Sequence, residues 1–180
     1  MVARNTPAKK EDPAVEVYTR RNELPVSVVQ SFHTVADVEA FFADQGIELS
    51  SGEEISDGFE STKDKDKLIN TTFVIIDWNL FTSSDFGGAD VMTIRLMTLA
   101  GEKYRISDGS TGIAQQLTDI TKVRMDAKHP APNAGLIVKG GLSKSEYWVS
   151  EADGKAMSDA EAEATPKDLK KKASTYYLVF

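Results

Sequence analysis

The chain has 180 residues, 21 Lys and Arg against 28 Asp and Glu, and a formal charge of −7, a length that suits one domain with tails and buries roughly 70% of the unfolded surface. Cysteine is absent, which excludes disulfides, thiolate chemistry and cysteine-ligated zinc and is compatible with a reducing cytoplasm. His33 and His129 lack ligand spacing, and no run approaches the roughly 18 to 20 apolar residues of a membrane span or resembles a signal peptide, so the expectation is a soluble, cytoplasmic chain with no metal or other cofactor.

Residues 1–23 are charged, contain proline and lack periodicity, and read as a flexible arm. A small extension over 24–66 follows. In it Val26 to Ser31 reads as a short strand, and Thr34 to Asp44 as a helix with Thr34 as N-cap and Asp37 three residues on. Val35, Val38, Phe41 and Phe42 give that helix an apolar stripe that must be buried against the main domain or another subunit, and Gly46 ends it. Ser50 to Asp66 is acidic and then alternates in sign, as solvated loops do.

The main unit is expected over 67–180. Leu68 to Phe81 and Ala89 to Leu99 are β-rich and separated by the turn Ser83 to Gly88, and Lys103 to Ser107 completes a meander. Asp108 and Gly109 break the strand, Ser110 or Thr111 caps the next element, and Ile113, Leu117, Ile120 and Arg124 recur at helical spacing. Gly135 to Lys139 and Ser145 to Val149 read as strand, interrupted by Gly140 and Gly141, and form one bent strand or a hairpin. An acidic internal loop at 151–172 precedes a closing strand, Thr175 to Phe180. The order β-β-β-α-β-β is that of a mainly β, five-stranded OB-fold-like barrel with one helix.

Such a barrel binds single strands on its second and third strands, with cations for phosphates and aromatics for bases. Strand alternation places Arg95 with Thr93 on one face, and Lys103 with Arg105 and Ser107, away from Tyr104 and Ile106. Phe81 and Asn79 are expected opposite Val74, Ile76 and Leu80, and Trp78, on the Val74 side, is expected in the core. Lys139 and Lys144 extend the cationic set; of Tyr147 and Trp148, adjacent on one strand, one is expected in the core and the other exposed. The bland alternative makes these cations the solvated side of a half-buried sheet. Between Ala89 and Trp148 eight basic residues face six acidic ones, a local +2 that leaves −9 elsewhere.

The segment Asp108 to Gly112 (DGSTG) admits a phosphate cradle, but a turn and N-cap explain it fully. No GxSxG, HExxH or catalytic carboxylate cluster occurs, so no catalytic residue and no metal ligand is assigned.

Three patches, FVIIDWNLFTSSDFGG (Phe73 to Gly88), SDGSTGIAQQL (Ser107 to Leu117) and GLIVKGGLSKSEYWV (Gly135 to Val149) with the closing TYYLVF, resemble a family of tailed-phage proteins, common in phages of actinobacteria, described as single-stranded DNA-binding proteins. That resemblance implies an OB-like fold and a non-catalytic, sequence-tolerant role in coating or protecting single-stranded DNA during phage DNA replication or recombination in the host cytoplasm. The nucleic-acid-binding residues expected are Arg95, Lys103, Arg105, Phe81, Lys139, Lys144, Tyr147 and Trp148. Expected partners are single-stranded DNA, replication or recombination proteins and further copies of the chain, with no membrane. The competing reading is a phage structural or assembly protein whose barrel mediates subunit contacts. A third is a nucleic-acid mimic that uses the negative charge to occupy a basic groove on another protein.

Overall fold

A computed structural model describes residues 34–47, 58–83, 89–109 and 111–180. The expected arm at 1–23, the strand Val26 to Ser31 and the turn at 84–88 lie outside the described residues. The chain is mainly β, with a five-stranded mixed sheet, a two-stranded sheet and a few helices.

The β-branched and aromatic runs form β2 (Phe73–Ser83), β3 (Ala89–Thr98) and β4 (Lys103–Asp108), an antiparallel meander. A long helix, α2 (Thr111–Asp126), leads to β5 (Ala134–Val138), which returns to pair antiparallel with β2. The two-residue β1 (Glu60–Ser61) runs parallel to β4, giving the order β1-β4-β3-β2-β5. The chain then turns at Gly140 and Gly141 into β6 (Gly141–Ser150), which pairs with β7 (Lys170–Val179). The Gly135 to Val149 stretch is therefore two strands in different sheets rather than a hairpin. A Cβ on Gly141, which has φ +74°, would fall 2.4 Å from the Thr71 nitrogen, so the change of sheet requires glycine here.

The main core lies between one face of the sheet and α2. Ile113, Leu117 and Ile120 of the helix meet Ile75, Trp78, Ile94 and Leu96 of the strands. At the C-terminal end of this face Arg124 is buried, donating to the carbonyls of Ala134 at 2.7 Å and Gly135 at 2.9 Å, and its guanidinium lies 5.6 Å from the Trp78 ring. The opposite face carries α1 (Val35–Asp44). The Thr34 and Asp37 capping box starts this helix, and Val38 and Phe42 bury against Val74 and Met97. The apolar stripe expected of α1 thus packs on the sheet.

Several expectations are corrected. A β-bulge between Ile75 and Asp77 shifts the alternation of β2. Trp78 consequently leaves the Val74 side and faces α2, where its indole N–H donates to Thr121 at 2.9 Å, and Phe81 comes to share the Val74 face. The segment expected as a loop up to Asp66 contains β1, and a 3₁₀ turn at Lys65–Leu68 follows. β7 starts at Lys170, so the three lysines are strand, and the acidic stretch holds a short helix, α3 (Asp159–Ala164), with a Ser158 and Glu161 capping box.

The five-stranded sheet is not closed into a barrel. Among the described residues no ladder joins β4 to β7. Both edges that closure requires are occupied. β1 takes the outer edge of β4, where the Thr62 N–H donates to the Arg105 carbonyl at 3.0 Å. On β7, Leu178 directs its backbone away from β6. Its N–H donates to Gln116 Oε1 at 2.7 Å, and its carbonyl accepts from Gln116 Nε2 at 3.1 Å. The side chain of a helix residue stands where a neighbouring strand would otherwise pair.

Candidate nucleic-acid interface

Beyond the part covered by α1, the outer face of the sheet is polar and cationic. The register sets Asp77, Arg95 and Arg105 side by side across β2, β3 and β4, with Asn79, Thr93 and Ser107 in the next row. Two arginines directly opposed across a ladder repel. Here Asp77 offsets the repulsion by holding Arg95 in a bidentate pair, with Nε at 2.8 Å from Oδ1 and Nη2 on Oδ2. The planar fork of a guanidinium suits this geometry, which also fixes the plane of the group.

Phe59, just before β1, lies over this face. Its ring centroid is 5.2 Å from the Arg95 guanidinium carbon and 6.0 Å from Lys103 Nζ, within cation–π range. Arg105, opposite Arg95 on the neighbouring strand, is exposed, and Phe81, two rows away near the C-terminal end of β2, is 45% exposed. The structure therefore gathers Arg95, Lys103, Arg105 and Phe81 on one sheet, as strand alternation predicts for the three cations.

It places the other four candidates elsewhere. Lys139 is exposed at the β5 to β6 turn, while Lys144, Tyr147 and Trp148 lie on the two-stranded sheet. Lys144 pairs with Asp66 at 2.9 Å, and the Tyr176 hydroxyl donates to the same carboxylate at 2.5 Å. The Tyr176 hydroxyl and the Lys144 ammonium hold the Asp66 carboxyl below its ordinary range, and the Asp66 carboxylate in turn raises Lys144. This network ties the 3₁₀ turn to β6 and β7, so Lys144 serves as a strut.

Neither Tyr147 nor Trp148 belongs to the main core, which corrects the expectation that one of them does. Tyr147 is 38% exposed, and Trp148 is partly covered by Lys170 and Lys172, whose ammonium groups lie 5.0 and 5.7 Å from its ring. Lys172 also pairs with Glu146 at 2.8 Å. A cleft of about 180 Å³ beside them is lined by Glu146, Tyr147, Trp148, Met157, Asp159 and Lys172. With two carboxylates to one ammonium, this cleft is a poorer host for a phosphodiester than the Arg95 face.

The glycine of DGSTG that opens α2 serves packing. A Cβ on Gly112 would meet the Tyr176 carbonyl oxygen at 2.1 Å, and the preceding Asp108 is buried with its Oδ2 2.7 Å from Lys65 Nζ. Among the described residues no group of three or more His, Asp or Glu is placed to hold a metal, and no helix is long and apolar enough to cross a membrane.

Two residues of the cationic face, Phe59 and Asp77, were missed by sequence reasoning. Phe59 stands in an acidic stretch with no strand pattern, and only the pairing of the adjacent β1 with β4 brings it over the sheet. Asp77 could have been found, since it alternates with Asn79 and Phe81. In comparisons with known proteins, no family model matches the chain, and no curated protein or solved structure matches it.

Proposed function

We propose that the chain is a non-catalytic, sequence-tolerant single-stranded DNA-binding protein with an OB-like arrangement of strands. The observation that carries this reading is the sheet face on which Arg95 and Lys103 lie within cation–π range of Phe59, with the exposed Arg105 directly opposite Arg95. Cations and an aromatic ring on one face are the two elements that sequence-independent single-strand binding requires. The order of elements supports the OB-like reading, since a meander, a helix and a strand returning to β2 precede the final pair. The role would be coating or protecting single strands during phage replication or recombination in the host cytoplasm, alongside replication or recombination proteins and further copies of the chain.

Fluorescence titration of labelled oligo-dT at several salt concentrations tests it. Binding is expected to weaken with salt, with a log–log slope of about −0.7 for each phosphate neutralised. The Lys103→Ala/Arg105→Ala variant should bind more weakly with a shallower slope. Absence of binding by the wild-type chain at low salt would remove the reading.

A subunit-contact role is favoured by one observation. Leu80 and Phe81, neighbours on opposite faces near the end of β2, are 50% and 45% exposed. Light scattering without nucleic acid distinguishes the two, because a defined oligomer lost on Leu80→Ser would place assembly first.

A further inference from the structure

The cationic face contains a group whose charge is already matched. Arg95 points its fork at Asp77, a carboxylate on the neighbouring strand, in the bidentate geometry that a phosphate would otherwise take. Its plane is fixed by that pair and lies near the Phe59 ring, which also neighbours Lys103. A guanidinium whose plane is fixed by a carboxylate, near an aromatic ring, is a stacking surface for a nucleobase, whereas a phosphate ligand needs its N–H groups turned to the strand.

Resting on the single-strand reading above, we infer that Phe59 and the Asp77 and Arg95 pair form a base-stacking platform, and that the exposed Arg105, not Arg95, meets the phosphates. Asp77 acts as a positioning residue. It stands in for a phosphate at the Arg95 fork and so turns a phosphate ligand into part of the base site.

The test uses the full chain with oligo-dT and with an abasic oligodeoxynucleotide of equal length, each titrated across a salt series. Phe59→Ala should weaken oligo-dT binding about five-fold or more, with an unchanged salt slope and no effect on the abasic strand. Phe59→Leu, which keeps an apolar side chain, should show the same loss with an unchanged urea midpoint, separating stacking from folding. The double change Asp77→Asn/Arg95→Gln removes the ion pair at constant net charge and should leave the slope as it is. Asp77→Asn alone removes the carboxylate charge that matches the fork and should steepen the slope by about 0.7. A wild-type chain that binds, together with an equal Phe59→Ala loss on both strands or a double variant whose slope falls by about 0.7, overturns the platform alone. No wild-type binding at low salt overturns the single-strand reading and the platform with it.

Discussion

Replacing Gln116 tests the physical reason that the sheet stays open. Its amide makes two hydrogen bonds to the backbone of Leu178, a buried residue on the outer edge of β7. Gln116→Leu keeps similar bulk and removes both bonds, leaving a backbone donor and an acceptor without partners. Each buried orphan costs about 1 to 3 kcal/mol. Gln116 is itself only partly buried, so water can reach the site in part, and we expect a loss of about 2 to 4 kcal/mol in urea unfolding at neutral pH. Gln116→Glu refines the test. An ionised carboxylate still accepts from the Leu178 N–H but faces the Leu178 carbonyl with a second acceptor, while the protonated carboxyl restores the donor. The folded state therefore raises the pKa of this glutamate. Relative to wild type at the same pH, stability is restored below the unfolded pKa and lost as pH rises through the folded one. A Gln116→Leu cost below about 1 kcal/mol, or a Gln116→Glu deficit that does not change with pH, would refute the view that this side chain serves as the missing strand neighbour.

Gly112→Ala should destabilise by about 3 kcal/mol in the same assay, because its Cβ would meet backbone atoms of Tyr176 and the Thr175 hydroxyl rather than a yielding side-chain tip. A cost under about 1 kcal/mol would show that α2 can lift off β7 freely. Asp66 predicts an acid-sensitive tie between the 3₁₀ turn and the β6 and β7 strands. Its pKa is lowered on folding, first by the Tyr176 hydroxyl and then by Lys144, so its contribution is complete above the ordinary value of 3.8 and disappears as pH falls through the folded value. Asp66→Asn should therefore flatten the pH dependence of stability below about pH 4, measured as urea midpoints over pH 2.5 to 6; a profile parallel to wild type would rule the tie out.

Much of the architecture is local chemistry and can be read along the chain. The β-branched runs of β2, β3 and β4, the helical recurrence of Ile113, Leu117 and Ile120, and the Thr34 and Asp37 capping box are each decided by neighbours within a few residues. The row of Lys103 and Arg105 is legible for the same reason, since alternation along a strand needs no tertiary information. Legibility stops where a long-range contact decides. The bulge at Ile76 leaves no mark in composition, yet it sends Trp78 to α2 and brings Phe81 onto the Val74 face. Lys144 reads as a free cation until Asp66, 78 positions away, takes it. Phe59 reads as part of a solvated loop until β1 pairs with β4 and carries it over Arg95.

The barrel shows the division most plainly. Period-two patterning and turn residues settle which segments become strands and in what order, because backbone conformation and one-sided burial act locally. Whether the last strand closes on the meander depends on what occupies its edge. Gln116 and β1 occupy those edges, through contacts that exist only with α2 and the segment before Thr62 docked. The sequence alone thus determined a mainly β chain with a helix after its third long strand and a candidate cationic row. The tertiary structure decided that the sheet stays open, and which of those cations face solvent and which are held by carboxylates.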